Sequence, residues 1–147
     1  MTEPNLDLPL TNLLADHAPQ PWSALLRLPT VLSAYEERVA TLREYGEADG
    51  ITLRAASEDA FLNFIKSNAY TRQASLVLLD NGNLRAVWKS DDGSHVGVQF
   101  RGGQAAGYVI FKRRDHGAET SRVAGKDTLD GVRGQIRAFG LEKLMRG

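Results

Sequence analysis

Apolar and polar residues alternate along residues 75–114, and this pattern predicts four β-strands joined by tight turns. Asn81-Gly82 separates SLVLLD from NLRAVW, and Asp92-Gly93 separates LRAVWKS from HVGVQF. These pairs are the typical sequence of a two-residue hairpin turn, in which both central residues need positive φ. A glycine-rich stretch at residues 102–107 then leads into YVIFKR. The stretch therefore predicts an antiparallel meander.

The segments on both sides of the meander have helical spacing. Thr30 is a candidate N-cap for a helix that ends at Gly46, and its apolar side chains recur at 3-4-3 spacing. Those side chains are Leu32, Tyr35, Val39 and Leu42. Ser57 is a candidate N-cap for a second helix that ends near Ser67, and residues 51–54 before it predict a short edge strand.

A final helix is predicted after Asp127 or Thr128, either of which can cap it, and Gly140 ends it. Its apolar positions repeat the 3-4-3 spacing: Leu129, Val132, Ile136 and Phe139. Gly131 and Gly134 lie inside this helix, where glycine is unfavourable, so we expect close packing at both.

The distribution of proline divides the chain near residue 30. All five prolines precede it, and they prevent residues 1–29 from forming one long element. We expect these residues to be an N-terminal arm that wraps the domain, with short helices near residues 10–16 and 22–28. Residues 30–147 are expected to form a single α+β domain, with a four- to five-stranded meander packed by N-terminal and C-terminal helices.

Two-residue turns would also determine the strand register. They place Val77 opposite Ala86 and Trp88 opposite Gly97, and Phe111 is then expected beside Gly97. In this register both faces of the sheet are largely apolar, whereas a meander with one wet face alternates more clearly. The second face is therefore expected to be covered by the arm, by a helix or by a second subunit. It would bear the following side chains: Val77, Leu79, Leu84, Ala86, Trp88, Gln99, Val109 and Phe111.

Composition limits the class of protein only broadly. The chain has 147 residues, 42% of them hydrophobic and 24% charged, as is usual for a globular protein. There is no cysteine, and the N-terminus has neither a basic region nor a sustained apolar run, so we expect a cytoplasmic protein. The formal net charge is zero, which argues against extensive phosphate contacts unless the basic residues are locally concentrated.

No motif indicates catalysis, a metal or a cofactor. His17, His95 and His116 lack the i, i+4 spacing of a zinc pair, and residues 93–97 lack the Gly-x-Ser-x-Gly spacing of a nucleophile elbow. An enzyme would need groups that converge only in the fold, and the set to inspect is His95, Gln99 and Arg101. We expect no catalytic activity and no cofactor.

Two features suggest binding instead. The predicted row of Trp88, Gly97 and Phe111 would leave either a shielded glycine or a notch for a helix, a peptide or a small ligand, with Gln99 and Arg101 on the same face. The basic cluster of Lys112, Arg113 and Arg114 ends a strand rich in aromatic residues. Aromatic residues flanked by basic ones can hold single-stranded nucleic acid.

Four segments of the chain carry a resemblance: DNGNLRAVWK, HVGVQF, YVIFKRR and SRVAGKDTLDGVRGQIRAF. Over residues 29–141 the chain resembles a family of small bacterial proteins that has no known activity. The resemblance implies a bacterial, cytoplasmic protein and indicates no substrate, cofactor or functional residue.

The sequence therefore predicts a non-catalytic binding module that acts through one sheet face, such as a regulatory or antitoxin-like partner of another protein or a homodimer. The first alternative is a single-stranded nucleic-acid binder, and the second is an enzyme with a site assembled by the fold.

Overall fold

The computed structural model describes residues 21–68, 71–113 and 120–146. Two helices come first, α1 (Pro21–Ala48) and α2 (Ala55–Ser67). Five strands follow: β1 (Ser75–Leu78), β2 (Leu84–Lys89), β3 (His95–Gly102), β4 (Ala105–Arg113) and β5 (Thr120–Thr128). The chain continues into α3 (Leu129–Ala138) and the short α4 (Glu142–Met145).

The strands form one antiparallel sheet in the order β1-β2-β3-β4-β5, and the helices pack on one of its two faces. This arrangement confirms the predicted α+β class with a meander sheet. We call the helix-covered face the inner face and the opposite one the outer face. The core between helices and sheet includes rings from α1, α2, β2 and β3, all at most 6% exposed: Tyr35, Phe61, Phe64, Trp88 and Phe100.

The first two hairpins, β1–β2 and β2–β3, turn through three-residue loops with the same geometry. In the first, Leu79 N–H donates to Asn83 O at 2.9 Å, and in the second, Ser90 N–H donates to Ser94 O at 2.9 Å. The third loop residue is a glycine with positive φ in each case, 87° at Gly82 and 91° at Gly93. A three-residue loop with its last residue in the left-handed region is the usual alternative to the two-residue turn.

The predicted register was therefore wrong by one residue at each of these two hairpins. Leu76, rather than Val77, pairs with Ala86, and Trp88 pairs with Val96 instead of Gly97. Because successive side chains point to opposite faces, this shift turns β2 over relative to its neighbours. It moves Leu84, Ala86 and Trp88 to the inner face, where each is at most 1% exposed.

The expectation of two apolar faces was a consequence of that error. The inner face holds these buried apolar side chains of β1 to β4: Leu76, Leu84, Ala86, Trp88, Val96, Val98, Phe100 and Ile110. The outer positions of β2 are Arg85, Val87 and Lys89. The sheet therefore alternates as an antiparallel sheet with one covered face should.

A fifth strand is present, but at a different place from the one predicted. Residues 51–54 form no strand, and Arg54 N–H instead donates to Gly82 O at 2.9 Å beside the first hairpin loop. The fifth strand is β5, which pairs with β4 from Ala105↔Thr128 to Arg113↔Thr120.

Helix α1 is longer than predicted. It continues through Pro29 and Thr30, so Thr30 is not its N-cap. Gly46 lies within it, and the chain leaves the helix at Gly50 (φ 79°) with Ile51 N–H bonded to Gly46 O at 2.7 Å. Residues 1–20 of the predicted arm, including the helix expected at 10–16, lie outside the described residues.

The other two helices differ less from prediction. Helix α2 ends at Ser67 as expected but starts at Ala55, because Ser57 is fully buried and bonds to the sheet. Its hydroxyl donates to Phe100 O at 2.5 Å and accepts from Leu84 N–H at 2.8 Å. Helix α3 is capped by Thr128, whose Oγ1 accepts from Gly131 N–H at 3.1 Å, as predicted.

Among the described residues, no helix is both long enough and apolar enough to cross a membrane.

Candidate binding surface on the outer sheet face

The outer face is a ladder of cross-strand rows that the observed register determines. The row nearest the first hairpin loop is Arg85, Gln99, Gly107 and Lys126. The central row is Val87, Gly97, Val109 and Ala124, and the third row is Lys89, His95, Phe111 and Arg122. Two polar rows therefore lie on either side of a row of small and apolar side chains.

The charges on the outer face all have one sign. Alternation along the strands places five basic residues there: Arg85, Lys89, Arg113, Arg122 and Lys126. Arg101, at the irregularity of β3, lines the same surface depression as Arg85 and Gln99. No outward strand position among the described residues is Asp or Glu. Because the whole chain has a net charge of zero, the remainder of the molecule has the matching negative excess.

The ion pairs between two described residues lie elsewhere. They are Arg43–Glu58 at 2.6 Å, Arg133–Asp130, Arg137–Glu142 and Arg146–Glu142. None of these pairs includes Arg85, Lys89, Arg101, Arg122 or Lys126, so no carboxylate in the described part of the chain lies within ion-pair distance of these five side chains.

Arg113 is different, because it faces an acid in the second hairpin loop. The pKa of Asp92 is held below its usual value, mainly by the hydrogen bond from the Ser90 hydroxyl and next by Ser94 N–H at 2.8 Å, with a smaller contribution from Arg113. Asp92 is fully exposed, so solvent screens its attraction to Arg113.

The outer face has a shallow depression in which two strand positions, Gly97 and Gly107, are glycine. This depression of about 500 Å³ extends over the first and central rows. A Cβ atom at Gly97 would lie 3.6 Å from Cδ of Arg85, so the aliphatic part of Arg85 covers this glycine. Gln99 lies over Gly107 and is fixed there, since its Oε1 accepts from Asn81 and from Asn83, each at 2.9 Å.

Among the residues that the structure describes, one aromatic pair lies on the outer face. The rings of His95 and Phe111 are 5.2 Å apart and inclined by 12°, which is a stacked arrangement. Both residues are half-buried. The other ring contacts of the described residues involve core rings on the inner side: Tyr35, Phe61, Phe64, Trp88 and Phe100.

Five of the residues predicted to bind from the sequence meet on the outer face. They are Gly97, Gln99, Arg101, Phe111 and Arg113. Trp88 is not with them, because it is 1% exposed on the inner side and its Nε1 donates to Arg72 O at 2.9 Å. The predicted row of Trp88, Gly97 and Phe111 does not form, since Gly97 pairs with Val87 and Val109 and Phe111 pairs with His95.

The predicted basic cluster is divided between the two sides of the sheet. Lys112 points to the helix side, where its Nζ donates to Phe139 O at 2.7 Å. Arg113 belongs to the outer face, and Arg114 lies outside the described residues. A run of adjacent cations on a strand cannot form one patch, because alternate side chains point to opposite faces.

The group considered for catalysis does not converge. His95, Gln99 and Arg101 all belong to β3, and His95 and Gln99 are about 13 Å apart along the strand at the usual rise per residue. His95 stacks on Phe111, while Gln99 bonds to Asn81 and Asn83. Among the residues the structure describes, no group of three or more His, Cys, Asp or Glu side chains could hold a metal ion.

The sequence analysis missed most of the basic residues of this surface: Arg85, Lys89, Arg122 and Lys126. The signal was present in the spacing of charges. Arg85 and Lys89 occur four residues apart in LRAVWK, as do Arg122 and Lys126 in SRVAGKD, and in a strand this spacing places both on one face.

A scan against protein-family models, a search of curated proteins and a search of solved structures each find no match for this chain.

Proposed function

We propose that this protein is a non-catalytic binding module that holds a negatively charged polymer on its outer sheet face. The observation that supports this most strongly is the one-sided charge of that face, with basic residues in both polar rows and no outward Asp or Glu among the described strands. In a chain with zero net charge, such a concentration is not explained by composition.

Concentrating like charges has an energetic cost that a partner would relieve. Neighbouring strands are about 4.8 Å apart, so the two cations of each polar row, on β2 and β5, lie about 14 Å apart between backbones. This separation exceeds the Debye length of roughly 8 Å at physiological salt but falls within it at low salt. At low salt their mutual repulsion destabilises the free protein slightly. A polyanion on this face replaces that repulsion with attraction and releases its own counterions.

The same charges argue against a homodimer built from two outer faces. Such a dimer would bring Arg85, Lys89, Arg122 and Lys126 of one copy against the same residues of the other. Like charges placed opposite one another oppose association. A partner of opposite charge fits this surface better than a second copy does.

Retention of the purified chain on a heparin column at low salt tests this proposal. We expect the chain to bind below about 0.1 M salt, where the Debye length exceeds about 10 Å, and to elute as salt is raised. The double variant Lys89→Gln/Lys126→Gln should elute at clearly lower salt, because it removes one cation from each polar row.

Lys66→Gln/Lys143→Gln is the matched control. Lys66 of α2 and Lys143 of α4 are exposed, like Lys89 and Lys126, but belong to helices rather than to the outward strand positions. The control changes the net charge by the same amount but leaves every cation of the outer strand positions in place. It should therefore elute close to the parent chain. Failure of the parent chain to bind, or equal losses in the two double variants, would contradict the proposal.

A further inference from the structure

We infer that the polymer bound on the outer face is a single-stranded nucleic acid, with its bases stacking at the His95–Phe111 pair. This inference rests on the proposed function, since it names the class of polyanion that the same face would hold. Charge alone does not distinguish a nucleic acid from an acidic peptide or a polysaccharide. The aromatic pair distinguishes these polymers, because only a nucleic acid has bases that stack on aromatic rings.

The position of the pair within the charges supports this assignment. His95 and Phe111 occupy the middle of the third row, with Lys89 on the strand beyond His95 and Arg122 on the strand beyond Phe111. Each cation is one strand away from a ring, or about 4.8 Å between backbones. A nucleotide whose base contacts either ring would therefore have its phosphate within reach of a cation.

The geometry of the pair leaves ring surface for a base. Two rings inclined by 12° at 5.2 Å cover one face of each other, so each ring has a second face directed away from its partner. Both residues are half-buried rather than enclosed. A base that stacks on one of these faces extends an existing stack.

The outer face suits a single strand better than a duplex. In a duplex the bases are stacked inside the helix and cannot contact a side-chain ring unless they are extruded. Duplex readers insert a helix or a strand ribbon into a groove, and the described part of the outer face is a sheet surface with a low central row of Val87, Gly97, Val109 and Ala124. Such an apolar row can contact bases or sugars without sequence preference.

The decisive variant is Phe111→Leu, which keeps an apolar side chain of similar reach and removes the aromatic ring. Binding of a labelled oligothymidylate of about 16 nucleotides, followed by fluorescence anisotropy, should weaken about tenfold. Phe111→Trp should bind at least as tightly as the parent chain. Both variants should keep the parent's circular dichroism, because Phe111 lies outside the helix-covered core.

Salt dependence supplies the second readout. Each phosphate contact to a single strand contributes about 0.7 to the slope of log affinity against log salt, so Lys89→Gln/Lys126→Gln should reduce that slope by about 1.4. The slope of Phe111→Leu should equal that of the parent chain, since stacking releases no counterions. Lys66→Gln/Lys143→Gln again serves as the control.

The outcomes separate this inference from the proposed function. One possible result is that heparin retention depends on Lys89 and Lys126, while polyglutamate binds as tightly as oligothymidylate. In this case Phe111→Leu would leave the affinity for both polymers unchanged. The polyanion surface then stands and the nucleic-acid assignment is overturned, with an acidic protein segment as the partner. Equal or tighter binding of a duplex of the same length would likewise overturn the assignment to single strands. If neither heparin nor the oligonucleotide binds, both proposals fall.

Discussion

Tyr35 joins helix α1 to the chain segment that enters the sheet. It is 1% exposed, and its hydroxyl accepts a hydrogen bond from Ala74 N–H at 2.7 Å, next to the start of β1. Its ring packs edge-on against Phe61 of α2 at 4.9 Å. Burial raises the pKa of the Tyr35 hydroxyl above its usual value, and the hydrogen bond from Ala74 only partly opposes this effect.

This pKa shift makes stability depend on pH in alkaline solution. The unfolded chain loses the Tyr35 proton near pH 10, whereas the folded chain keeps it to higher pH. The unfolded state therefore binds fewer protons in this range, and the free energy of unfolding should fall as pH rises above about 10. Urea unfolding at pH 8 and above pH 10 should show a smaller fall for Tyr35→Phe than for the parent chain.

Tyr45→Phe is the control for this experiment, because Tyr45 is 65% exposed and its hydroxyl is in water in both states. It should leave the alkaline fall unchanged. At neutral pH, Tyr35→Phe should itself be less stable by about 1–3 kcal/mol, since Ala74 N–H loses its acceptor in a buried place. An alkaline fall identical in parent and Tyr35→Phe would refute the assignment to this residue.

At the scale of elements, the loops of the β1–β2 and β2–β3 hairpins have the same conformation and the same type of side-chain hydrogen bond. Asn81 Oδ1 accepts from Asn83 N–H at 3.0 Å, and Asp92 Oδ1 accepts from Ser94 N–H at 2.8 Å. In both loops this side chain stabilises the turn just before the glycine with positive φ. The surroundings differ, because a Cβ at Gly82 would collide with the carbonyl oxygen of Thr52, while a Cβ at Gly93 would contact Cγ of Arg113 at an ordinary 3.9 Å.

That difference predicts unequal costs for the same substitution. Gly93→Ala should destabilise the protein by about 1–2 kcal/mol, the usual cost of a left-handed conformation for a residue with a Cβ. Gly82→Ala should cost more, since the backbone of residues 51–54 must also move. Chemical denaturation of the two variants measures the difference, and equal costs would show that the contact between Gly82 and Thr52 is unimportant.

Helix α3 contains a position where stability can be gained. Gly134 is exposed, and an added Cβ would meet no atom within 4 Å, contrary to the close packing expected from the sequence. Gly134→Ala should therefore raise the free energy of unfolding by up to about 1 kcal/mol and the melting temperature by a few degrees.

Gly131→Ala in the same helix is the comparison. A Cβ there would collide with the carboxylate of Asp127, which accepts a hydrogen bond from Thr128 N–H at the start of α3. We expect no gain from this variant. A loss of stability in Gly134→Ala would mean that this glycine has a role the described contacts do not show.

The sequence predicted the elements better than their pairing. The strands, the final cap at Thr128 and the helix-packed sheet follow from local patterns, and the structure confirms them. The register depends on whether Asn81-Gly82 lies in a loop of two residues or three, and the dipeptide is compatible with both. The charges of Arg85 and Lys89 could have decided between them, because the predicted register places both on the same face as Leu76, Val96 and Val98, which are core residues.

At the scale of the whole molecule, charge is divided between two layers. Most acidic residues of the described chain lie in the helices, as do the acids of the ion pairs between described residues, and Asp80, Asp91 and Asp92 lie in the hairpin loops. The outward strand positions carry only basic charges. A zero net charge concealed this division, because it sums over both layers. The candidate surface is therefore revealed by the positions of the cations along the strands and not by the net charge.

The meander also has a consequence for the speed of folding. Every strand pairs with the strand before or after it in the chain, so forming the sheet requires no closure of a long loop. Hairpins close in about 1–10 μs, and proteins with mostly local contacts fold quickly. The contacts of α1 and α2 with the sheet span longer stretches of chain, since Tyr35 reaches Ala74 and Ser57 reaches Phe100. We therefore expect the docking of these two helices, rather than strand pairing, to limit the rate at which the native core forms.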